Sequence, residues 1–281
     1  MIIDGAALAD KLLFSFRRSS VMHGLHGKAL AVCCVHPGDA TKKFIAQKRL
    51  FAAKLGLDVR VYEYDEHITQ AEFIKEVGRH NANPDVCGII IQLPLPAHLD
   101  SQRCFNAIDI RKDIDVMSDA AFRRFYEKKS KAMPPVAAAI DYIVDQHNIP
   151  VKNAFAVVLG AGRLVGMPCL AWCVHQGAGA CSFRAWGDAA QTMLPQADII
   201  IAGLGTPNAV KGAGLKDGVV VFDVGFSREN GKIVGDVDFD SLANKASYIT
   251  PVPGGIGPLT VAMLFKNLIE LQKEYKIKTR S

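Results

Sequence analysis

Short, nearly continuous apolar runs that alternate with segments of helical periodicity constrain the fold of this chain more than any other feature. In the first half, the predicted strands are 29–35, 58–62 and 86–92, and the predicted helices are 5–20, 41–55 and 69–81. Strands this apolar are typical of a parallel sheet that helices cover on its faces. The sequence therefore predicts an α/β fold.

A second series of the same kind follows a turn-rich, charged stretch at 100–130. A helix is predicted from Pro134-Pro135, because proline is favoured in a first helical turn. The later predicted elements are the strands 154–160, 180–184, 198–205 and 218–225, and helices that end near 175 or span 188–195 and 259–275. We expect two α/β lobes with a ligand cleft between them. The predicted domains are 1–143 plus 260–281 and 144–259.

Length and composition agree with two lobes. The chain has 281 residues, of which 49% are hydrophobic and 22% charged, so it can bury an ample core. The net charge of +5 is scattered along the chain. It suits an anionic small molecule better than a nucleic acid, which usually requires a clustered basic stripe.

Cysteines and apolar runs indicate the compartment. Most of the seven cysteines lie in apolar runs and are interpreted as reduced core residues. Cys169 and Cys173 have helical spacing, but no further ligands complete a zinc site, so no metal is predicted. No apolar run reaches the roughly 18 residues of a membrane span, and Asp4 argues against a signal peptide. A cytoplasmic protein without membrane partners is expected.

A glycine-rich loop, Gly160-x-Gly162-x-x-x-Gly166, follows the predicted strand 154–160 and precedes an apolar helix. It is similar to the dinucleotide-binding fingerprint, with one residue more before the last glycine. Glycine lets the backbone approach a pyrophosphate, and the helix N-terminus faces the anion. The alternative is a tight strand-to-helix turn, where glycine also serves.

The end of the predicted strand 180–184 bears on which dinucleotide is bound. An NAD site usually places an acidic residue there for the ribose hydroxyls, whereas this strand ends in Arg184, which suits the 2′-phosphate of NADP. Arg163 is a second candidate phosphate contact. Asp188 weakens the argument, and Arg184 could also be an ordinary surface residue. NADP is favoured over NAD.

Lys48 is a candidate catalytic residue because of its place on a predicted helix. The segment 37-PGD-39 provides turn and cap chemistry, and Lys48 falls on the same helical stripe as Phe44, Phe51 and Leu55. A lysine is seldom buried without a partner or a task. The alternative is a lysine whose stem packs while its head reaches water.

Gln92 ends a buried strand, and parallel sheets bind ligands at this carboxyl edge. Lys48 follows the adjoining strand, so the two could meet. A partly buried lysine has a lowered pKa and can then act as a general base. Asp115 could accept ligand N–H groups in the same cleft, or could equally cap a loop. The loop 253-PGGIGP-258 could approach a ligand closely, or form a rigid turn.

Together these segments resemble the bifunctional methylenetetrahydrofolate dehydrogenase/cyclohydrolases over essentially the whole chain. The motifs that carry the resemblance are Ile3-Asp4-Gly5, 88-GIIIQLPLPAH-98, 221-VFDVG-225, 235-GDVDF-239 and 249-ITPVPGGIGPLTVAML-264. The resemblance implies a homodimer with a folate-binding catalytic domain and a Rossmann-type NADP-binding domain. It also implies oxidation of 5,10-methylenetetrahydrofolate with NADP, then hydrolysis of the methenyl product to 10-formyltetrahydrofolate. This is one-carbon metabolism connected with purine biosynthesis.

The resemblance also assigns roles to individual residues. Lys48 matches the catalytic lysine, held by Gln92, and Asp115 matches an aspartate that grips the pterin. Further substrate contacts are implied for Phe44, Leu93, Pro94, Pro253, Gly254 and Gly255. Cofactor contacts are implied for Gly160, Ala161, Gly162, Arg163, Arg184 and Phe226.

Four departures from the family pattern lie in or near the predicted cleft. Phe44 replaces a tyrosine and lacks its hydroxyl, and Val116 replaces a glycine. The turn 132-AMPP-135 differs from the usual Pro-Cys-Thr-Pro, and Arg163 occupies a position that is usually small or polar. Two alternatives therefore stay open: an enzyme that keeps one activity, most plausibly the dehydrogenase, or a non-catalytic folate- or nucleotide-binding homologue.

Overall fold

A computed structural model describes residues 1–229 and 231–278 of the chain. The elements up to residue 134 are the helices α1 (Gly5–Arg17), α2 (Ser20–His23), α3 (Asp39–Ala53), α4 (Gln70–Ala82), α5 (Ser101–Asn106) and α6 (Asp119–Tyr126), and the strands β1 (Ala29–Val35), β2 (Asp58–Tyr64) and β3 (Val86–Ile91). The predicted α/β alternation is confirmed here. The stretch 100–130, expected to be of mixed character, contains α5 and α6.

The later elements continue the alternation. They are the helices α7 (Pro135–His147), α8 (Gly166–His175), α9 (Asp188–Met193), α10 (Phe239–Leu242) and α11 (Ile256–Lys278), and the strands β4 (Phe155–Leu159), β5 (Gly179–Phe183), β6 (Ile199–Ala202), β7 (Val220–Asp223), β8 (Ser227–Glu229), β9 (Lys232–Val234) and β10 (Tyr248–Ile249). The last helix begins three residues earlier than predicted. Pro258 is tolerated in its first turn, where a backbone N–H has no helical partner.

The chain forms two compact units, each with its own parallel sheet. One comprises Lys11–Pro134 with the segment from Val261 onwards, and the other comprises Met1–Asp10 with Pro135–Thr260. This division assigns 1–10 and 135–143 to the unit of β4–β10. The domain boundaries expected from the sequence, 1–143 plus 260–281 and 144–259, stay a prediction.

The unit built around β1 has the strand order β2-β1-β3, with both neighbours parallel to β1. All seven residues of β1 are buried, which explains why this strand reads as a continuous apolar run. The segment after α5 adds to the edge at β3, because Asp113 pairs in parallel with Ile89. Asp115 lies in the turn that directly follows this bridge.

The five-stranded sheet of the other unit has the order β10-β7-β6-β4-β5, and all of its pairs are parallel, whereas β8 and β9 form a separate antiparallel pair. Numbered by their order along the chain within this sheet, the strands run 2-1-3-4-5, a doubly wound arrangement in which the strand order reverses between β4 and β6. Ligands of such sheets bind at the carboxyl ends of the strands beside this reversal. The glycine loop 160–166 follows β4 and therefore lies at that point.

Across the residues that the structure describes, every helix is too short or too polar to cross a lipid bilayer.

Candidate functional site

Lys48 lies in the buried face of α3, although that face differs from the predicted one. Its neighbours on this face are buried: Thr41, Ile45 and Ala52. The expectation that Phe44 shares the apolar stripe is wrong, since Phe44 is 38% exposed. Phe51 lies at the flank, where its ring stacks on Phe265 with 4.9 Å between centroids. The centre of the buried face of α3 is set by the elements that pack against the helix, and a helical projection of the sequence does not include them.

The head of Lys48 is held by a side chain. Its Nζ donates a hydrogen bond of 2.6 Å to Oε1 of Gln92, directly after β3. The amide of Gln92 is oriented in turn, because its Nε2 donates to the carbonyl oxygen of Leu93 at 3.1 Å. This pairing was expected from the sequence. A partner for the ammonium group argues against the alternative in which the head simply reaches water.

Asp115 and Lys48 influence each other's ionisation. Burial lowers the pKa of the Lys48 amine, and the negative charge of Asp115 acts in the opposite direction. Burial raises the pKa of Asp115 to about 6, an effect that Lys48 opposes and Asp113 reinforces. A half-buried amine with a lowered pKa beside a carboxylate has the properties of a general base.

The turn that carries Asp115 is fixed by a residue that the sequence analysis did not single out. Asp113 is fully buried, and its carboxylate accepts the backbone N–H groups of Met117 at 3.2 Å and Ser118 at 2.8 Å. Val116 has a φ of 56°. This left-handed conformation costs a residue with a Cβ roughly 1–2 kcal/mol, which accounts for the usual glycine at this position.

Leu93 and Pro94 follow Gln92 and join through a cis peptide bond. Pro94 also lines an open pocket of about 470 Å³ at the carboxyl edge of the β2-β1-β3 sheet. The other residues that line this pocket are Val35, His36, Glu66, His67, Leu95, Pro96 and His98. Residues from the ends of all three strands thus surround the space beside the predicted substrate contacts.

Pro253, Gly254 and Gly255 belong to the other compact unit. Pro253 has a cis peptide bond to Val252, and Gly254 has a φ of +109°, a left-handed conformation that favours glycine. The first residues of the chain hold this loop: the N–H of Gly5 donates to the carbonyl of Gly254 at 3.0 Å. A Cβ on Gly5 would lie 1.7 Å from the Gly255 oxygen, which explains the glycine of the Ile3-Asp4-Gly5 motif.

The glycine loop joins β4 to α8 by a backbone crossing that a side chain would obstruct. Gly160 has a φ of +117°, and a Cβ on Gly166 would lie 2.0 Å from the Gly160 oxygen. By contrast, no atom lies within 4 Å of a Cβ placed on Gly162. Gly162 therefore borders open space shortly before the start of α8, as a cradle for a pyrophosphate requires. The residues fit a dinucleotide.

The predicted cofactor contacts lie on segments that follow neighbouring strands. Arg184 is exposed directly after β5, next to the glycine loop, since the N–H of Gly160 donates to the Phe183 carbonyl at 2.7 Å. Arg163 is half-buried within the loop, and Phe226 is 43% exposed after β7. Asp188, the residue that weakened the case for NADP, begins α9. An acidic side chain stabilises a helix there, so this position has a structural explanation.

The fold and these sites define a two-unit α/β protein with a Rossmann-type nucleotide-binding unit. The family model described as "Tetrahydrofolate dehydrogenase/cyclohydrolase, catalytic domain" matches residues 3–115. The model described as "Tetrahydrofolate dehydrogenase/cyclohydrolase, NAD(P)-binding domain" matches residues 134–276. The chain belongs to the tetrahydrofolate dehydrogenase/cyclohydrolase family.

Similar proteins match over nearly their full lengths. A "Bifunctional protein FolD" from Nautilia profundicola is 36% identical, with 98% of each chain covered. The crystal structure of the bifunctional methylenetetrahydrofolate dehydrogenase/cyclohydrolase from Campylobacter jejuni has a TM-score of 0.92 and 31% identity, covering 98% of this chain and 99% of that one. A Trypanosoma brucei structure "complexed with NADP cofactor and inhibitor" has a TM-score of 0.91 and 27% identity, with 98% of each chain covered.

Proposed function

We propose that this chain is an enzyme that oxidises 5,10-methylenetetrahydrofolate to the 5,10-methenyl compound with NADP and hydrolyses that product to 10-formyltetrahydrofolate. Family membership and the activities named for its relatives support the proposal. The observation that carries it is the hydrogen bond from Lys48 to Gln92. It holds a half-buried amine, whose pKa burial lowers, at the ligand-binding edge of a parallel sheet.

In the hydrolytic step, the neutral Lys48 amine accepts a proton from the water that attacks the methenyl carbon. Gln92 keeps the amine oriented, because its own amide is fixed by Leu93. Asp115, when ionised, accepts N–H groups of the pterin ring. The apolar surface for the substrate comes from Phe44 together with Leu93 and Pro94, and backbone contacts come from Pro253, Gly254 and Gly255.

In the redox step, bound NADP supplies the hydride acceptor. The backbone of Gly160, Ala161 and Gly162, with the N-terminus of α8, holds the pyrophosphate. Arg163 and Arg184 carry the positive charge that a 2′-phosphate requires, and Phe226 packs against the nucleotide. These assignments favour NADP over NAD.

Assays of both half-reactions with purified protein test the proposal. We expect formation of NADPH from methylenetetrahydrofolate and, separately, hydrolysis of methenyltetrahydrofolate without any nucleotide. NAD in place of NADP should give a lower kcat/KM. If the folded natural protein has neither activity, the proposal is contradicted and a non-catalytic homologue is favoured.

An enzyme with dehydrogenase activity alone is the second candidate, and Phe44 is the observation that favours it. Phe44 lies one helical turn before Lys48 and presents an exposed ring without a hydroxyl group. If that hydroxyl is needed, hydrolysis is slow in the natural chain and Phe44→Tyr raises it at least about tenfold, with little effect on NADPH formation. Equal hydrolysis by both forms would remove this candidate.

We further propose that the protein is a homodimer that supplies one-carbon units for purine biosynthesis. Family membership supports both statements. A cytoplasmic location is also proposed, since all seven cysteines are free thiols, which suits a reducing compartment. Light scattering tests the homodimer, and cell fractionation tests the cytoplasmic location.

A further inference from the structure

Two buried aspartates lie in the nucleotide-binding unit, in the segments 221-VFDVG-225 and 235-GDVDF-239, to which the proposed mechanism gives no task. Asp223 ends β7 and is 3% exposed, and Asp236 is fully buried. Burial raises the pKa of Asp223 to about 6 and also raises the pKa of Asp236. Placing two carboxylates together in a protein interior is costly unless hydrogen bonds compensate.

Backbone N–H groups supply those hydrogen bonds. Asp223 accepts the N–H groups of Gly225 at 2.8 Å, Asp236 at 3.1 Å and Val237 at 3.0 Å, and so fixes the backbone of Asp236 itself. Oδ2 of Asp236 accepts the N–H of Leu204 at 2.5 Å and of Gly205 at 3.0 Å. The chain of contacts therefore runs from Asp223 through Asp236 to the loop 203–205, which follows β6.

The loop 203–205 packs directly on the glycine loop. A Cβ on Gly160 would lie 2.7 Å from the Gly203 oxygen, and a Cβ on Gly203 would lie 2.6 Å from Cγ1 of Val165. The two loops follow β6 and β4, the adjacent strands between which the strand order of the sheet reverses. A displacement of 203–205 would therefore move one wall of the nucleotide site.

We propose that Asp236 is a positioning residue for nucleotide binding, which holds the loop 203–205 against the glycine loop without touching the nucleotide itself. The identity of the nucleotide rests on the proposed function. Because the contacts of Asp236 lie within the unit of β4–β10, its loss weakens NADP binding and leaves the Lys48 site in the other unit intact.

Calorimetric titration of the full-length protein with NADP tests this role. Asp236→Ala leaves the N–H groups of Leu204 and Gly205 without their acceptor, so the Kd should rise at least about tenfold. Asp236→Asn keeps an acceptor oxygen and should stay within about threefold of the natural chain. The matched control is Asp238→Ala, which removes a carboxylate that caps α10 by accepting the Ser241 N–H, and which should also stay within about threefold.

Gly225→Ala provides a second variant if Asp236→Ala does not fold. Its Cβ would lie 2.5 Å from the Asp236 carboxylate and displace it, so NADP binding should again weaken at least about tenfold. Nucleotide-independent hydrolysis should stay within about twofold in all variants. Unchanged NADP affinity, or an equal loss of hydrolysis, would overturn the positioning role. Absence of NADP binding by the natural chain would instead contradict the proposed function.

Discussion

At the scale of single residues, the partner of Lys48 favours one of two interpretations of this position. The sequence shows a cation on an apolar stripe, which fits a catalytic amine or a lysine that reaches water. The hydrogen bond to Gln92 gives the head a partner, and burial lowers its pKa. For Phe44 the prediction was wrong: the sequence placed it on the buried stripe, whereas the structure places it in an exposed position one helical turn before Lys48.

Lys48→Met should abolish hydrolysis and preserve substrate binding, because it removes the proton acceptor and keeps an unbranched side chain of similar length. General-base catalysis contributes about 10²–10⁴-fold, so kcat should fall at least about 100-fold. Lys43→Met is the control, since Lys43 is exposed on the same helix. Normal hydrolysis by Lys48→Met would show that the role given to this lysine is wrong.

The pH dependence of hydrolysis should report both groups. Above pH 6 Asp115 is ionised and can accept ligand N–H groups, so the KM for methenyltetrahydrofolate should rise as the pH falls below about 6. The value of kcat should increase with pH as Lys48 loses its proton, with a midpoint below that of an ordinary lysine. Rate profiles corrected for the uncatalysed reaction measure both. A KM that is constant from pH 5 to 8 would contradict the role of Asp115.

At the scale of elements, buried polar side chains hold the irregular segments that carry the site. Asn267 on α11 is 1% exposed. Its Nδ2 donates to the carbonyls of Ile114 at 2.8 Å and Met133 at 2.7 Å, and its Oδ1 accepts the Met133 N–H at 3.0 Å. One amide thus fastens both the turn of Asp115 and the altered 132-AMPP-135 turn to a long helix.

Asn267→Leu should destabilise the protein by at least about 2 kcal/mol, because it leaves buried backbone groups unpaired. It should also raise the KM for folate substrates, since the neighbour of Asp115 loses its anchor. Gln272→Leu makes the same chemical change at a half-buried position of α11 and serves as the control. Urea unfolding measures the difference, and equal midpoints for the two variants would argue against the anchoring role.

Gly166→Ala tests the junction of β4 and α8. The added methyl group would overlap the Gly160 carbonyl, and overpacking of this kind costs about 1–3 kcal/mol. Gly162→Ala, whose Cβ would meet no atom within 4 Å, should melt like the natural chain. Thermal unfolding of the two proteins distinguishes them, and equal Tm values would contradict the proposed crowding at Gly166.

At the scale of the whole molecule, the two compact units separate most of the predicted nucleotide contacts from most of the predicted folate contacts. The exception is the loop with Pro253, Gly254 and Gly255, predicted to contact folate but belonging to the unit of β4–β10. Whether this loop contacts folate is therefore the part of the substrate prediction that most needs a direct measurement.

Hydrogen exchange of the full-length protein can map this separation, because bound ligands slow local opening. NADP should protect the segments 160–167 and 203–206. 5-Formyltetrahydrofolate should protect 88–95 and 113–118, and also 251–255 if that loop contacts folate. Protection of 160–167 by the folate compound alone would contradict the assignment of the two sites.

Much of the fold follows from sequence patterns, because burial on both faces makes a parallel strand continuously apolar. The predicted strand 29–35 has the bounds of β1, and the alternation of helices and strands is confirmed. The predicted strand 198–205 is too long. Leu204 and Gly205 donate their N–H groups to Asp236 and leave the sheet, an effect that depends on a residue about 30 positions away.

The sequence by itself determined the class of fold and the glycine loop, and it placed Lys48 and Gln92 where they could meet, since each depends on local periodicity or on the edge where parallel strands end. Only the tertiary structure decided which face of α3 is buried and which polar residues support the sites. Asp113, Asp236 and Asn267 look like surface residues in the sequence. They are buried because distant backbone N–H and C=O groups need partners, and folding alone brings those groups together.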